Sequence, residues 1–321
     1  MTSTPLMPTM SPSVTTVACP DGTILSLPRY GRSDADVGVI LCHGFIQNSA
    51  AFAVPSRSLV EFLVEAGFAV YPIDLRGRAN ARVTHDLLQT IDHDARAIVT
   101  AVRARHRRVA WVGHSMGGLI GAALTDGGAD ALVVIGSPLM PGRSVLHQAS
   151  SLRTVIAYGR ARGARGQPFP GKQYAQGFVR GRRVLDGRAG AFTPLPLWRP
   201  GSYARDEDLR FTLENAFAND SHNVMADLVE LVVTRGERGG RVMLNGRLAV
   251  QSAPTLAIVG TDDALAPPDT ARALLDRIAA RHRALREVRA GHIDLLTGDA
   301  APVAVWRPLS AFIDEHLRKA P

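Results

Sequence analysis

Residues 109–118 read Val-Ala-Trp-Val-Gly-His-Ser-Met-Gly-Gly, and the character of the chain changes in the middle of them. The run before Gly113 is apolar and β-branched, which is typical of a buried strand. The run after Ser115 is rich in small and apolar residues, which predicts a helix packed closely through its glycines. Ser115 therefore lies on a sharp strand-to-helix turn, in a Gly-x-Ser-x-Gly pattern that strains its backbone and exposes its hydroxyl. Free N–H groups at the helix start lie beside that hydroxyl, so the turn suits a nucleophile.

The segments before and after this turn alternate between strand and helix patterns. Strands are predicted at residues 37–42, 68–73, 109–112 and 131–135, and helices at 58–66 and 86–106. A hairpin is predicted over 14–28, because Pro-Asp-Gly separates two apolar runs. This alternation predicts an α/β fold with a parallel sheet and helices on both faces. Ligands bind at the carboxyl ends of such strands, where the sequence has His43, Asp74, Ser115 and Ser137.

The alternation stops near residue 139 and returns near residue 252. The stretch between is rich in Gly, Arg and Pro, with helical patterns at 206–217 and 222–235. Beyond it, a strand at 254–259, a helix at 269–280, a weak edge strand at 285–289 and a closing helix at 301–318 are predicted. We therefore expect a flexible tail at 1–13, a core formed by 14–138 and 252–321, and a cap inserted at 139–251.

Composition narrows the class of protein. The chain has 321 residues, of which 46% are hydrophobic and 21% charged, so it can bury a large core. The net charge of +8 comes almost entirely from scattered arginines, which is typical of a solvated surface, and we expect no nucleic-acid partner. Cys19 and Cys42 offer neither a disulfide framework nor a metal-binding spacing, so no metal or cofactor is expected. With no secretory signal and no membrane-spanning run, a cytoplasmic location is expected, and the oligomeric state stays open.

A serine nucleophile needs a base within hydrogen-bond reach, and the base needs an acid that orients it. His292 is the best candidate for the base, because it follows Gly291 in a loop after the last predicted strand. The strand at 254–259 is followed by Asp262 and Asp263, and neighbouring side chains of an extended chain point to opposite sides. Only one of them can therefore face His292. The spacing Gly-x-x-Asp with a following proline favours Asp263, and Asp262 is then a turn residue.

Acyl transfer also needs two hydrogen-bond donors for the oxyanion of the tetrahedral intermediate. The backbone N–H of Met116, directly after the serine, is one candidate, and the N–H of Phe45, after His43 and Gly44, is the other. His43 is expected to shape its turn through hydrogen bonds, and His114 is expected to pack beside the serine.

These motifs together resemble the α/β-hydrolase superfamily. The resemblance rests on the order Ser115, Asp263, His292, on the His-Gly loop and on the Gly-His-Ser-Met-Gly-Gly turn, and it covers residues 14–138 and 252–318. The turn Asp-Leu-Arg-Gly-Arg at 74–78 is also similar to the Asp-x-Arg-Gly-x-Gly of the family, with Ala79 replacing the second glycine. The resemblance implies an α/β-hydrolase fold: a mostly parallel, eight-stranded sheet with helices on both faces and a cap inserted after the sixth strand.

Within the superfamily, the segment Gly-His-Ile-Asp-Leu-Leu at 291–296 is similar to lipase-like and polyhydroxyalkanoate-synthase-like members. The synthases use cysteine at the position of Ser115, and haloalkane dehalogenases and epoxide hydrolases use aspartate there. Ser115 therefore indicates a serine esterase or lipase that cleaves a hydrophobic acyl ester through an acyl-enzyme. Aromatic cap residues are expected to line the acyl pocket or to pack within the lid: Phe169, Phe178, Phe192, Trp198, Tyr203 and Phe217.

Three alternatives accompany this hypothesis. An acyl thioesterase uses the same machinery, and the basic cap surface can meet the phosphate of a CoA or carrier-protein thioester. A ligand-binding protein on the same scaffold would keep the triad without using it. Nucleic-acid binding through the arginines would show steep salt dependence.

Asp294 is expected to make a local turn or cap hydrogen bond rather than to act on His292.

Overall fold

The computed structural model describes residues 10–78, 84–125, 128–137, 149–184, 197–234 and 244–318. Its principal strands are β1 (Ser13–Ala18), β2 (Ile24–Arg29), β3 (Val37–Cys42), β4 (Ala69–Ile73), β5 (Arg108–His114), β6 (Ala131–Ile135), β7 (Thr255–Gly260) and β8 (Arg283–Val288). Two short antiparallel pairs accompany them, Ala53–Val54 with Arg57–Ser58 and Pro168–Phe169 with Asp220–Ser221.

Six of the principal strands form one parallel sheet in the order β8-β7-β6-β5-β3-β4. β1 and β2 form an antiparallel hairpin of their own. The hairpin reaches the β4 edge through one bridge, in which Tyr30 and Val70 exchange backbone hydrogen bonds of 2.8 and 2.9 Å. The predicted fold class is confirmed, and the eight expected strands divide into a six-stranded parallel sheet and a two-stranded hairpin at its edge.

Helices flank the sheet and continue beyond it. They are α1 (Leu59–Glu65), α2 (Leu87–Gln89, Thr90–Ala95 and Arg96–Arg103 in succession), α3 (Met116–Ala123), α4 (Ala149–Ala164), α5 (Gly171–Val184), α6 (Asp206–Asn215), α7 (His222–Thr234), α8 (Leu244–Leu248), α9 (Pro268–Arg277), α10 (Asp294–Thr297) and α11 (Pro302–Trp306, Arg307–Ile313 and Asp314–Arg318). A 3₁₀ turn covers Ser49–Phe52. Within the described ranges, none of these helices has both the length and the apolarity to cross a membrane.

The central strand β5 shows why the sheet is apolar throughout. Trp111 packs into one hydrophobic cluster with Ile40, whereas the next residue, Val112, packs into a second cluster with Val39. Successive side chains point to opposite faces of a strand, so a sheet with helices on both faces needs apolar residues at every position. The continuous apolar run before Gly113 follows from this double coverage.

Two helices between residues 149 and 184 were not predicted. In the whole inserted segment, 139–251, the sequence pattern indicated helices only at 206–217 and 222–235, which correspond to α6 and α7. α4 and α5 each contain glycines, which lower helix propensity and weaken a periodic pattern. α4 packs along α7, and this tertiary contact compensates for the weak local preference.

Candidate active site

Ser115 occupies the turn between β5 and α3 in a conformation that non-glycine residues rarely adopt. Its φ is +53° and its ψ is −120°. Its N–H donates to the carbonyl of Ile135 at the end of β6, at 2.8 Å. The turn is tight: a Cβ atom placed on Gly113 would lie 2.3 Å from the carbonyl carbon of Gly117. The close packing predicted from the glycines is therefore present, and it holds Ser115 at the carboxyl end of the sheet.

Asp263 and His292 form a buried hydrogen-bonded pair at the same end of the sheet. Oδ2 of Asp263 lies 2.8 Å from Nδ1 of His292, and the two side chains are 0% and 6% exposed. Oδ1 of Asp263 accepts hydrogen bonds from the N–H groups of Leu265 and Ala266, at 2.8 and 2.9 Å. Burial raises the pKa of Asp263, but His292 and these hydrogen bonds outweigh burial and lower the pKa of the carboxyl. The pair therefore holds an ionised carboxylate against the imidazole.

Asp262 points elsewhere. Its carboxylate lies 3.3 Å from Nε of Arg199 and is 44% exposed. Its N–H donates to the carbonyl of Ala290 at 3.1 Å. The geometry thus separates the two aspartates that the sequence left in competition: Asp263 contacts His292, and Asp262 pairs with Arg199 at the surface.

Gly136, directly after β6, brings the serine and the Asp–His pair close together. It has a φ of +54°, and a Cβ atom placed on it would lie 3.3 Å from Asp263 Oδ2 and 3.4 Å from His292 Nδ1. The preceding carbonyl, of Ile135, is the one that accepts from the Ser115 N–H. The contacts among the described residues include no hydrogen bond from Ser115 Oγ to His292. Such a bond is often long in unliganded enzymes and shortens when substrate binds.

Phe45 and Met116 each present a backbone N–H that has no acceptor among the described residues. The loop that carries Phe45 approaches the serine closely, since a Cβ atom placed on Gly44 would lie 3.1 Å from Ser115 Cβ. The N–H of Gly44 itself donates to Oε1 of Gln47, at 3.0 Å. Met116 is the first residue of α3, where backbone donors have no partner within the helix.

His43 is a buried, neutral residue that shapes the loop. Its Nε2 accepts from the N–H of Leu75 at 3.2 Å, so Nδ1 carries the proton and donates to the carbonyl of Gly44 at 2.8 Å. Burial and the nearby Arg78 lower the pKa of His43 to about 4. These contacts agree with the turn-shaping role expected from the sequence.

His114 connects the loop after β3 to the loop of His292. Its Nδ1 lies 2.8 Å from Oε1 of Gln47, and its Nε2 lies 3.1 Å from the backbone carbonyl of His292. Its ring centroid is 4.6 Å from that of His292. Burial and the neighbouring His292 lower the pKa of His114 to about 3, and the neutral ring, which has one N–H, donates to one of these two oxygens. His114 is therefore a buried residue that contacts the loops on both sides of the site.

A comparison with known proteins identifies the family to which the chain belongs. Residues 39–306 match a family model described as "Alpha/beta hydrolase family". The chain belongs to the alpha/beta hydrolase family. A comparison with curated protein sequences finds no significant match.

Solved structures share the fold of this alpha/beta hydrolase at low sequence identity. A structure of DcsB in complex with its substrate analogue is 18% identical, with a TM-score of 0.65, covering 96% of this chain and 100% of that chain. A monoacylglycerol lipase from Paleococcus ferrophilus is 18% identical, with a TM-score of 0.62, covering 91% and 99%. An enol-lactonase from Burkholderia xenovorans LB400 is 17% identical, with a TM-score of 0.61, covering 93% and 99%.

In this alpha/beta hydrolase, the segment between β6 and β7 contacts the site from two sides. On one side, the ring of Phe169 lies 5.2 Å from that of Phe45 and stacks at 5.5 Å on Tyr174. On the other, the carbonyl of Leu197 accepts from the N–H of Ile293, next to His292, at 2.8 Å.

The aromatic residues expected in this segment have different surroundings. Trp198, Tyr203 and Phe217 belong to a small hydrophobic cluster that also contains Ile293. The side chain of Phe178 and the whole of Phe192 lie outside the described residues. Among the described residues, no group of three or more His, Cys, Asp or Glu side chains could hold a metal ion.

Two further polar residues near the site make contacts that the sequence did not predict. Gln47 ties the Phe45 loop to His114, but it lies outside the His-Gly motif. Asp294 was expected to bond locally, and Oδ2 does accept from the N–H of Gly291 at 2.9 Å, but it also accepts from the N–H of Arg199 at 2.7 Å. Asp294 thereby joins the His292 loop to the inserted segment.

Proposed function

We propose that this alpha/beta hydrolase is a serine esterase that cleaves a carboxylic ester of a hydrophobic acyl group. The observation that carries the proposal is the buried hydrogen bond between Asp263 and His292, next to a serine with a φ of +53°. A buried carboxylate that orients an imidazole beside a strained, partly exposed serine is the arrangement that activates a hydroxyl nucleophile. The lipase and the lactonase among the similar structures support the choice of an ester.

In the proposed reaction, Ser115 Oγ attacks the ester carbonyl while His292 Nε2 takes its proton. Because Asp263 accepts from Nδ1, it leaves Nε2 as the basic nitrogen and stabilises the imidazolium. The N–H groups of Phe45 and Met116 donate to the oxyanion. His292 then gives the proton to the leaving alcohol, and an acyl-enzyme forms. His292 then takes a proton from water as its oxygen attacks the acyl carbonyl. The bond to Ser115 Oγ breaks, His292 returns the proton to that oxygen, and the carboxylic acid leaves.

We also propose that the segment at 139–251 is a cap over the site. Its described residues contact both loops that carry the proposed machinery: Phe169 lies against Phe45, and Leu197 bonds to Ile293. An apolar wall beside the nucleophile fits a hydrophobic acyl group, because apolar surface is removed from water when the chain binds.

The test is hydrolysis of p-nitrophenyl butyrate and octanoate by the wild type and by Ser115→Ala. The variant should lose activity by about 10³-fold or more, because the nucleophile is removed. Ser137→Ala is the matched control: Ser137 is buried at the end of β6 and bonds only to the Ile135 carbonyl among described contacts. A fluorophosphonate probe should label the wild type and Ser137→Ala but not Ser115→Ala. Ester hydrolysis that persists in Ser115→Ala would remove Ser115 from the mechanism.

The same assay separates the ester from the thioester substrate. Octanoyl-CoA and p-nitrophenyl octanoate carry the same acyl group, so the ratio of their kcat/KM values reports on the leaving group. An esterase is expected to prefer the p-nitrophenyl ester. A preference for octanoyl-CoA that falls steeply with salt would instead indicate a thioesterase that recognises phosphate.

A further inference from the structure

The loop that carries Phe45 is held in an unfavourable conformation. Ile46 has a φ of +54°, and it shares this positive sign only with Ser115 among the described non-glycine residues. The left-handed region is a genuine outlier for a β-branched residue, because Cβ crowds the backbone there. Such a conformation persists only where surrounding contacts fix it.

Two residues of the inserted segment bond to Ile46, and a third is paired with the next residue of the loop. Oδ2 of Asp220 accepts from the N–H of Ile46 at 3.0 Å. The N–H of Ala218 donates to the Ile46 carbonyl at 2.8 Å, and Phe217 forms an isolated bridge with Gln47. Both polar groups of the strained residue are therefore bonded to the segment between β6 and β7.

Arg78 fixes Asp220 in place. Its Nη2 lies 2.7 Å from Asp220 Oδ2, and its Nε donates to the Gln47 carbonyl at 2.5 Å. The side chains of Arg78 and Asp220 are 3% and 1% exposed. A buried ion pair has little access to water, so its geometry is fixed by its few partners. Here one arginine contacts both the aspartate and the loop that the aspartate holds.

The N–H of Phe45 lies between two backbone N–H groups that each donate a hydrogen bond to a side chain. The Gly44 N–H is bonded to Gln47, the Ile46 N–H is bonded to Asp220, and the Phe45 N–H between them has no acceptor among the described residues. We propose that Asp220 is a positioning residue that aims the Phe45 N–H at the oxyanion. This inference rests on the proposed function, and it makes part of the inserted segment a support for the reaction site. Arg78 holds the carboxylate in place.

The test compares Asp220→Ala with Asp220→Asn and with a matched control. Asp227 is also a buried aspartate of the inserted segment, paired with Arg160 and bonded to the N–H of Leu87, but it does not contact the Phe45 loop. On p-nitrophenyl butyrate, Asp220→Ala should lower kcat by about 10- to 100-fold with KM changed less than about threefold, because a displaced donor acts in the transition state. The inhibition constant of 1,1,1-trifluoropentan-2-one should rise by the same factor. Asp220→Asn keeps one acceptor oxygen for the Ile46 N–H but loses the charge that pairs with Arg78, so its kcat should lie between those of Asp220→Ala and the wild type. Asp227→Ala should keep both constants.

Equal kinetics of Asp220→Ala and Asp227→Ala would overturn the inference. If Asp220→Ala does not fold, Asp220→Ser replaces it, because a serine hydroxyl is one bond too short to reach the Ile46 N–H. Hydrogen exchange gives a readout that needs no turnover: the Ile46 amide should exchange faster in Asp220→Ala than in the wild type and Asp227→Ala. Unchanged exchange contradicts the role of Asp220, whereas absence of ester hydrolysis in the wild type contradicts the proposed function alone.

Discussion

Nδ1 of His292 lies 2.8 Å from Oδ2 of Asp263, in a pocket where both side chains are almost fully buried. The carboxylate can only accept, so the ring proton resides on Nδ1 and the lone pair resides on Nε2. Low local dielectric strengthens this contact, and two backbone N–H groups hold the other carboxylate oxygen. One side chain thus fixes both the tautomer and the orientation of the proposed base.

Asp263→Asn should therefore lower kcat on p-nitrophenyl butyrate by about 10⁴-fold, because an amide that donates to Nδ1 imposes the wrong tautomer. Asp262→Asn is the matched control, since it changes the adjacent aspartate, which pairs with Arg199 at the surface. Its kcat should stay within about twofold of the wild type, as expected for an exposed ion pair. A larger loss in Asp262→Asn than in Asp263→Asn would reverse the assignment.

The sequence could predict the site residues that follow strands, but it could not predict the hydrogen bonds that connect one loop to another. Ser115, His292 and Asp263 each stand within four residues of the end of a predicted strand, and parallel strands bring their carboxyl ends together. Gln47 contacts His114, and Asp220 bonds to Ile46, across long sequence separations. Both contacts start from loops whose course depends on tertiary packing, so they carry no periodic or compositional signal.

The fold was predictable to the extent that local pattern and tertiary environment agree. β3, β5 and β7 lie between two cores, so their sequences are apolar without interruption and were identified. β8 begins at Arg283, two residues before the predicted edge strand, because its exposed arginines obscure the pattern. α4 was missed because the packing that stabilises it comes from α7, which lies far along the chain.

The glycine at the start of the serine turn should tolerate no side chain. In Gly113→Ala, the new Cβ would lie 2.3 Å from backbone atoms of Gly117, and no rotamer change can relieve a clash with backbone. We expect the free energy of unfolding to fall by about 1–3 kcal/mol, or the variant not to fold. Urea denaturation measures the change.

Gly177→Ala provides the opposite control for that variant. Gly177 lies in α5 with nothing within 4 Å of a Cβ atom placed on it. Alanine should therefore raise the free energy of unfolding by about 0.5–1 kcal/mol, through its better helix propensity. Equal effects of the two substitutions would show that the packing at Gly113 does not limit stability.

Stability should fall in mild acid, because two buried histidines resist protonation. Burial lowers the pKa of His43 to about 4 and that of His114 to about 3, against an ordinary value of 6.5 in the unfolded chain. Below pH 6.5 the unfolded state binds protons that the folded state excludes. The free energy of unfolding should then drop by up to about 1.4 kcal/mol per pH unit for each histidine, down to pH 4.

Urea denaturation at pH 7, 6, 5 and 4.5 measures this slope. His114→Gln removes one of the histidines whose pKa is lowered by burial and should make the slope shallower. His282→Gln, at an exposed histidine, is the control for the substitution itself. A wild-type stability that is constant between pH 7 and pH 5 would contradict the neutral, buried state of both histidines.

Phe45 and Met116 are proposed to act through backbone N–H groups, so their side chains should be replaceable. Phe45→Leu and Met116→Leu keep both donors, and kcat on p-nitrophenyl butyrate should stay within about threefold of the wild type. The ring of Phe45 does contact Phe169, so Phe45→Leu should change the preference between butyrate and octanoate esters while Met116→Leu does not. A loss of kcat above about 100-fold in either variant would mean that the side chain, and not the N–H, supports the reaction. Because Phe45 lies in a loop and Met116 in the first turn of α3, the two variants also show which of these segments depends on that side chain for its position.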